Sequence, residues 1–255
     1  MILALDAGNT NIVLGGLEGE ETLFLERLAA DPRQTAAEYA ALLKSLLELH
    51  GLEAGSVEGA VISSVVPPLD RVLAQAVRLL CGKESLVVGP EMETGLRIAT
   101  DDPDELGADL IAAAAAALEK YPLPQILLDL GTATTLSVLD REGVFRGVVI
   151  CPGVKVSFGA LSAAAAQLPE LPFGEPGKVI GTNSPECMQS GILYGHAAML
   201  DGLIDRIEEE LGERCVRVAT GGLSGRIVPY CRREILMDED LVMDGLRILY
   251  EKNSG

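Results

Sequence analysis

The chain has 255 residues, 48% of them hydrophobic but only 4% aromatic, and a formal net charge of −18. That length allows one large domain or two of ordinary size around an aliphatic core. The charge argues against a nucleic-acid partner, which needs clustered Lys and Arg, and means that cations must accompany any bound polyphosphate. The five cysteines (Cys81, Cys151, Cys187, Cys215 and Cys231) show no metal-binding spacing and read as reduced thiols of a cytoplasmic protein. No basic segment precedes the first apolar run, so no signal peptide is expected. No run reaches the ~20 apolar residues of a membrane helix.

Residues 1–16, MILALDAGNTNIVLGG, place two short apolar runs around a Gly/Asn-rich reversal and predict a β-hairpin. At its tip Asp6 can face a metal-bound phosphate, Gly8 permits close backbone approach, and Asn9, Thr10 and Asn11 offer neutral donors. An ordinary hairpin turn is the plain alternative. A third strand is expected over 21–27. Thr35 and Glu38 form a capping-box pattern ahead of Tyr39, Leu42, Leu43, Leu46 and Leu47 at helical spacing, and Gly51 closes that helix. A buried strand over 59–66, ending in Ser63 and Ser64, stops at Pro67. A helix over 70–80 and a strand over 85–88 follow, then a loop over 91–103 and a helix over 104–118.

Residues 125–139, QILLDLGTATTLSVL, repeat the opening plan: apolar strand, Asp129, Gly131, a Thr-rich turn, second strand. One structural idea used twice suggests a duplicated domain with a ligand between the halves, divided into 1–119 and 120–255. A strand over 144–150 leads to Cys151-Pro152-Gly153, and a helix is expected over 154–167. An irregular Pro-rich segment then runs up to Gly181. Ser184-Pro185-Glu186 reads as N-cap, N1 and N2 of a long helix ending at Gly212. A strand over 216–219, a tight turn at Thr220-Gly221-Gly222 and a final helix from 238–240 through Tyr250 complete the chain, with a frayed tail over 251–255. Strands alternating with helices indicate an α/β fold with mixed sheets flanked by helices. Two Asp-bearing turns without a Lys, and no Walker-type loop, point to phosphate held by backbone N–H groups, hydroxyls and Mg²⁺.

Asp6-x-Gly-Asn-Thr-Asn11, Leu106-Gly-Ala-Asp109, Asp129-Leu-Gly-Thr-Ala-Thr-Thr135, Cys151-Pro-Gly153 and Thr220-Gly-Gly222, in this order and across nearly the whole length, resemble type III pantothenate kinases. These belong to the actin/Hsp70/sugar-kinase superfamily. The resemblance implies duplicated ribonuclease H-like (actin-like ATPase) domains. It also implies ATP-dependent phosphorylation of the primary alcohol of pantothenate, the first step of coenzyme A biosynthesis, by a cytoplasmic homodimer. Carried over by residue, Asp6, Ala7, Gly8, Asn9, Thr10, Asn11, Ile12 and Val13 hold ATP phosphates and Mg²⁺, with Asp6 reaching the metal directly or through water. Thr132, Gly221 and Gly222 also contact ATP. Gly107, Ala108, Asp109 and Leu110 line the pantothenate site with Asp109 as general base. Asp129 binds a monovalent cation, K⁺ or NH₄⁺, and Ser184 reaches the substrate from the neighbouring subunit.

Two positions depart from that family's pattern. Leu110 stands where Arg is usual, which removes an anion-pairing contact, and Arg146-Gly147 stands where a Gly-Gly pair is common. Arg146 is one conceivable source of the missing charge. The departure at Leu110 leaves two competing functions: a non-catalytic nucleotide-binding regulator, and a kinase for another small alcohol. A filament-forming actin relative fits least, because the chain is short for that role. His50 and His196 read as structural residues, and Cys151 as a buried thiol.

Overall fold

The structure, a computed structural model, describes residues 1–254 apart from 90, 166 and 170. In chain order its elements are β1 (Ile2–Ala7), β2 (Asn11–Glu18), β3 (Glu21–Ala29), α1 (Ala36–Leu49), β4 (Gly59–Ser64), α2 (Pro67–Cys81), β5 (Ser85–Val87), β6 (Arg97–Ile98) and α3 (Ala108–Lys120). There follow β7 (Gln125–Leu130), β8 (Ala133–Leu139), β9 (Val144–Pro152), α4 (Val154–Ala164), α5 (Ser184–Leu211), β10 (Val216–Thr220), α6 (Ser224–Ile227), β11 (Leu236–Met237) and α7 (Leu241–Asn253). They form two compact units, Met1–Lys120 with Asp240–Gly255, and Tyr121–Glu239.

In the first unit the strands run β3-β2-β1-β4-β5, with β1 antiparallel to β2 and parallel to β4. The period-2 alternation of β1 sorts its side chains onto two faces. Leu3, Leu5 and Ala7 pack with Tyr39, Leu43 and Leu47 of α1 and with Leu69 and Leu73 of α2. Ile2 and Ala4 pack with Ile111, Ala112 and Ala115 of α3 and with Met243, Leu246 and Leu249 of α7. Asp6 therefore belongs to the α3/α7 face. Helix α7 thus completes the first unit, although the sequence reading assigned its residues to the second half. Its approach to α3 depends on Gly245, where a Cβ would overlap the Ala112 carbonyl.

In the second unit the strands run β11-β10-β7-β8-β9, again with an antiparallel hairpin (β7, β8) and a parallel neighbour (β10). Ile126, Leu128, Leu130 and Leu136 pack against Leu193, Ala197, Leu200 and Ile204 of α5. Asp129, one residue out of phase, belongs to the opposite face.

Several boundaries differ from the sequence reading for local reasons. The Thr35/Glu38 capping box forms as expected. Pro67 and Pro68 open α2 instead of preceding it, since Pro suits the first turn of a helix. The helix expected over 104–118 breaks into a 3₁₀ turn, Pro103–Glu105, and α3, with Leu106 and Gly107 between them. Helix α4 ends at Ala164; of the expected span to 167, residue 166 lies outside the described residues. The N-cap of α5 is Asn183, whose Oδ1 accepts from Glu186 N–H at 3.0 Å, so Ser184 is the first helical residue. The tail does not fray through 253, because the Asn253 amide exchanges hydrogen bonds with the Glu93 backbone at 2.9 and 3.0 Å. Residue 255 lies outside the described residues.

Candidate active site

The opening turn is closed by Gly8 N–H donating to the Asn11 carbonyl at 2.9 Å. Asn9, Thr10 and Asn11 are exposed at its tip, whereas the side chains of Ala7 and Ile12 are fully buried in the α1/α2 core. Of the residues assigned to ATP, Ala7 and Ile12 thus have only backbone to offer a ligand. Asp6 pairs across the sheet with Val13 on β2 and with Ser63 on β4. Ser63, fully buried, donates its hydroxyl to Asp6 Oδ1 at 2.8 Å. This bond holds one carboxylate oxygen by a neutral donor. Sequence reading gave Ser63 no such role. The only local signal was a hydroxyl ending an apolar strand.

Asp109 sits in the first turn of α3, on the element that packs against the Asp6 face of the sheet. The helix break at Leu106-Gly107 places it there. A Cβ on Gly107 would lie 2.5 Å from Asp109 Oδ1, so glycine leaves the carboxylate its room. Oδ1 accepts from the Leu110 N–H at 2.8 Å. Burial pushes the Asp109 carboxyl above the usual carboxylate range, and the backbone N–H groups of Leu110 and Asp109 offset only part of that. A half-buried carboxylate of raised basicity is suited to take a proton from an alcohol.

In the second unit three turns converge at the same end of the sheet. Asp129 pairs with Thr135 on β8 and Thr220 on β10. Gly221, at φ +92°, lies so close that a Cβ would overlap Asp129 Oδ1, and Gly131 approaches the same oxygen, its Cβ position 3.4 Å away. Gly153, the N-cap of α4, packs on the backbone of Gly131 and Thr132, where a Cβ would overlap the Thr132 carbonyl. Thr132 and Gly222 are exposed at the rim. The turn β7–β8, the start of α4 and the turn after β10 thus form a backbone-lined surface beside one carboxylate, kept open by Gly153 and Gly221, where a Cβ would overlap its neighbours.

Leu110 is half-buried and carries no charge toward Asp109. Arg146 does not replace it beside the 131–132 turn. It pairs with Asp140 at 3.5 Å near the far end of β9, about 20 Å of strand from Pro152. Ser184, released from capping, is exposed, and its hydroxyl has no hydrogen bond among the described residues. His50 stacks on Phe24 (centroids 4.7 Å apart) and meets Glu26 at 3.0 Å, a structural role. Burial pushes the Cys215 thiol up to about 11 and the Cys231 thiol up to about 12, which removes both as nucleophiles. Among the described residues no group of three or more His, Cys, Asp or Glu could hold a metal by itself, and no helix is long and apolar enough to cross a membrane.

A family model described as type III pantothenate kinase matches residues 2–206. The type III pantothenate kinase of Moorella thermoacetica is 41% identical over 254 residues, covering 100% of both chains. That of Exiguobacterium sibiricum is 43% identical over 253 residues, covering 99% of this chain and 100% of the relative. Among solved structures, component A of the (R)-2-hydroxyglutaryl-CoA dehydratase of Acidaminococcus fermentans aligns with a TM-score of 0.58 at 14% sequence identity, covering 100% of this chain and 99% of that one. The fold is that of the actin-like ATPase and sugar-kinase superfamily, and by sequence the chain belongs to the type III pantothenate kinase family.

Proposed function

We propose that this protein transfers the γ-phosphoryl group of ATP to the primary alcohol of pantothenate, giving 4'-phosphopantothenate and ADP. The observation that carries this reading is Asp109: a desolvated carboxylate of raised basicity, in the first turn of the helix that covers the Asp6 face of the sheet. Gly107, Ala108 and Leu110 line the alcohol's site around it. As the hydroxyl oxygen bonds to the γ-phosphorus and the bond to the β-phosphate oxygen breaks, the hydroxyl proton passes to Asp109. Phosphoryl transfer needs the proton accepted only late, so positioning and charge stabilisation dominate.

ATP enters with Mg²⁺. Asp6, oriented by Ser63, reaches that metal directly or through water, while the backbone from Ala7 to Val13 and the side chains of Asn9, Thr10 and Asn11 bind phosphate oxygens. Thr132 contacts ATP, and Gly221 and Gly222 admit it closely. The Asp129 carboxylate, bounded by Gly131 and Gly221, suits a hard monovalent cation such as K⁺ or NH₄⁺, which would offset phosphate charge in a chain of net charge −18. The active form is a cytoplasmic homodimer in which Ser184 reaches the partner's substrate. Exposed Ile150, Val179 and Ile180 supply apolar surface for that association.

The test is ADP release measured with and without pantothenate, in Mg²⁺ buffers containing K⁺, NH₄⁺ or neither. Release that requires pantothenate and a monovalent cation supports the reading, and ATP turnover indifferent to pantothenate overturns it. One observation favours a second reading. Leu110 beside Asp109 offers a carboxylate no partner, as a kinase for a less anionic alcohol would require. A panel of small alcohols at fixed ATP separates the two.

A further inference from the structure

We propose that His196, buried in the middle of α5, is a positioning residue for the nucleotide-contacting turn of the second unit. The inference rests on the proposed kinase reading, in which the 131–132 turn touches ATP. His196 is 7% exposed, and its Nδ1 lies 2.8 Å from the carbonyl of Ile192 on its own helix, so Nδ1 carries a proton. That bond fixes the ring plane and leaves Nε2 facing out of α5. Nε2, the acceptor of that tautomer, lies 3.5 Å from the Ser157 hydroxyl, which can donate to it, and 3.4 Å from the Pro152 carbonyl oxygen, a packing contact and not a hydrogen bond. These two groups flank the N-cap of α4: Pro152 ends β9, Gly153 is the cap, and Ser157 N–H donates to the Gly153 carbonyl at 2.9 Å.

Gly153 is also the residue whose α-carbon packs on the carbonyls of Gly131 and Thr132. A continuous line of contact thus runs from α5 through His196 to Pro152 and Ser157, then through Gly153 to the turn. Pro152 lies opposite Ala133, the first residue after that turn, so a shift at Pro152 is a shift of the turn's own partner strand. An imidazole placed among apolar neighbours such as Leu193 and Ala197 is a costly way to fill space. Its polar edge is spent on the junction that carries Gly153. His196 touches no site residue itself and acts through Gly153.

The experiment compares His196→Leu, which fills the volume without a polar edge, with His196→Gln, whose terminal amide reaches the Nε2 position. Both are made in the full chain, with Ser157→Ala as a third variant. Each is assayed for KM toward ATP and pantothenate, for binding of a non-hydrolysable ATP analogue by calorimetry, and for melting temperature. For His196→Leu the expected result is about a tenfold weaker ATP KM and analogue affinity, since small misplacement of a binding group costs on this scale. Pantothenate KM should stay within about twofold, and His196→Gln should recover most of the loss. Ser157→Ala should shift ATP affinity in the same direction by less. If His196→Leu lowers the melting temperature but leaves ATP affinity at the wild-type value, the positioning role is wrong. If it weakens ATP and pantothenate equally, or if Gln and Leu behave alike, the role is also wrong. Wild-type protein that fails to bind the analogue at all would instead overturn the kinase reading on which this inference stands.

Discussion

Replacing Asp109 with Asn should separate activity from stability, moving them in opposite directions. The amide keeps the side chain's shape and still offers an oxygen to the Leu110 N–H, now 2.8 Å from Oδ1. It cannot accept the substrate's proton. Loss of a positioned general base lowers rate by about 10²–10⁴-fold, which corresponds to about 2.7–5.5 kcal/mol of transition-state stabilisation at 1.36 kcal/mol per tenfold. Stability follows from linkage. Burial raises the Asp109 carboxyl, so the folded chain holds its proton more tightly than the unfolded chain does. The stability this contributes is fully present below the unfolded value, about 3.9, and is lost as pH rises through the raised folded value. At neutral pH the ionised Asp109 therefore costs stability, and Asn removes the charge.

Two measurements check this together. A coupled assay of pantothenate-dependent ADP release from mildly acidic to neutral pH should show an acid limb in wild-type kcat/KM, displaced upward because burial raises the Asp109 carboxyl, and none in the residual rate of Asp109→Asn. Thermal melts at neutral pH should place Asp109→Asn at or above wild type, with the gap closing as pH falls below the carboxylate range. A variant that keeps wild-type turnover would refute the base assignment. So would one that melts well below wild type and loses activity only in proportion to the folded fraction lost.

Other substitutions test the remaining contacts. Gly221→Ala adds a Cβ at φ +92° that overlaps Asp129 Oδ1 and the Leu130 backbone, so melting temperature, activation by K⁺ or NH₄⁺ and ATP affinity should all drop; an unchanged cation response in the folded variant would count against Asp129 as the cation ligand. Gly245→Ala forces α7 off Ala112 and should cost about 1–3 kcal/mol in urea unfolding. Glu208 is buried and accepts from Cys215 N–H at 3.1 Å and from the guanidiniums of Arg214 and Arg217. Burial works to raise its carboxyl, but those donors outweigh it and hold the group below its ordinary range, so its stabilisation is present at neutral pH and lost as pH falls through the lowered value. Glu208→Ala leaves Arg217 facing an empty partner and should cost about 3–5 kcal/mol, read from urea midpoints at pH 7. Leu110→Arg should lower pantothenate KM by about tenfold, the worth of one charged hydrogen bond, and no change would mean that the carboxylate binds elsewhere.

What the sequence disclosed depended on how far apart the interacting residues lie. The two Asp turns were legible because strand, reversal and strand are contiguous, and the apolar alternation around Asp6 and Asp129 fixes which face each occupies. The capping box of α1 was legible for the same reason. The Asn183/Ser184 cap was not, because both side chains can cap and Pro is tolerated in either of the first helical positions. Helix α7 was assigned to the wrong half because an amphipathic helix does not say which sheet buries it, and its seat is set by Ala112 and Gly245, which lie far apart in the chain.

The same argument explains the least legible part of the site. Asp6 and Asp129 each lie one residue from the end of the first strand of a hairpin, and each faces a hydroxyl residue on the parallel neighbour, Ser63 on β4 and Thr220 on β10. Parallel neighbours need a long crossover, so their register cannot be read from local spacing. Once the register is known, the duplication extends beyond the turns that display it. In both units the carboxylate is set between a hairpin partner and a buried hydroxyl residue, Ser63 at 0% and Thr220 at 3% exposure. In the first unit that hydroxyl is seen to hold the acid, through Ser63 Oγ and Asp6 Oδ1. Each turn is thus a three-strand device whose third strand the chain supplies tens of residues away. Ser63→Ala, which removes the orienting donor and leaves the turn sequence intact, should therefore weaken Mg²⁺-ATP binding without altering the hairpin. Titration of nucleotide at several Mg²⁺ concentrations reads this directly, and an affinity equal to wild type would mean that the hairpin alone sets Asp6.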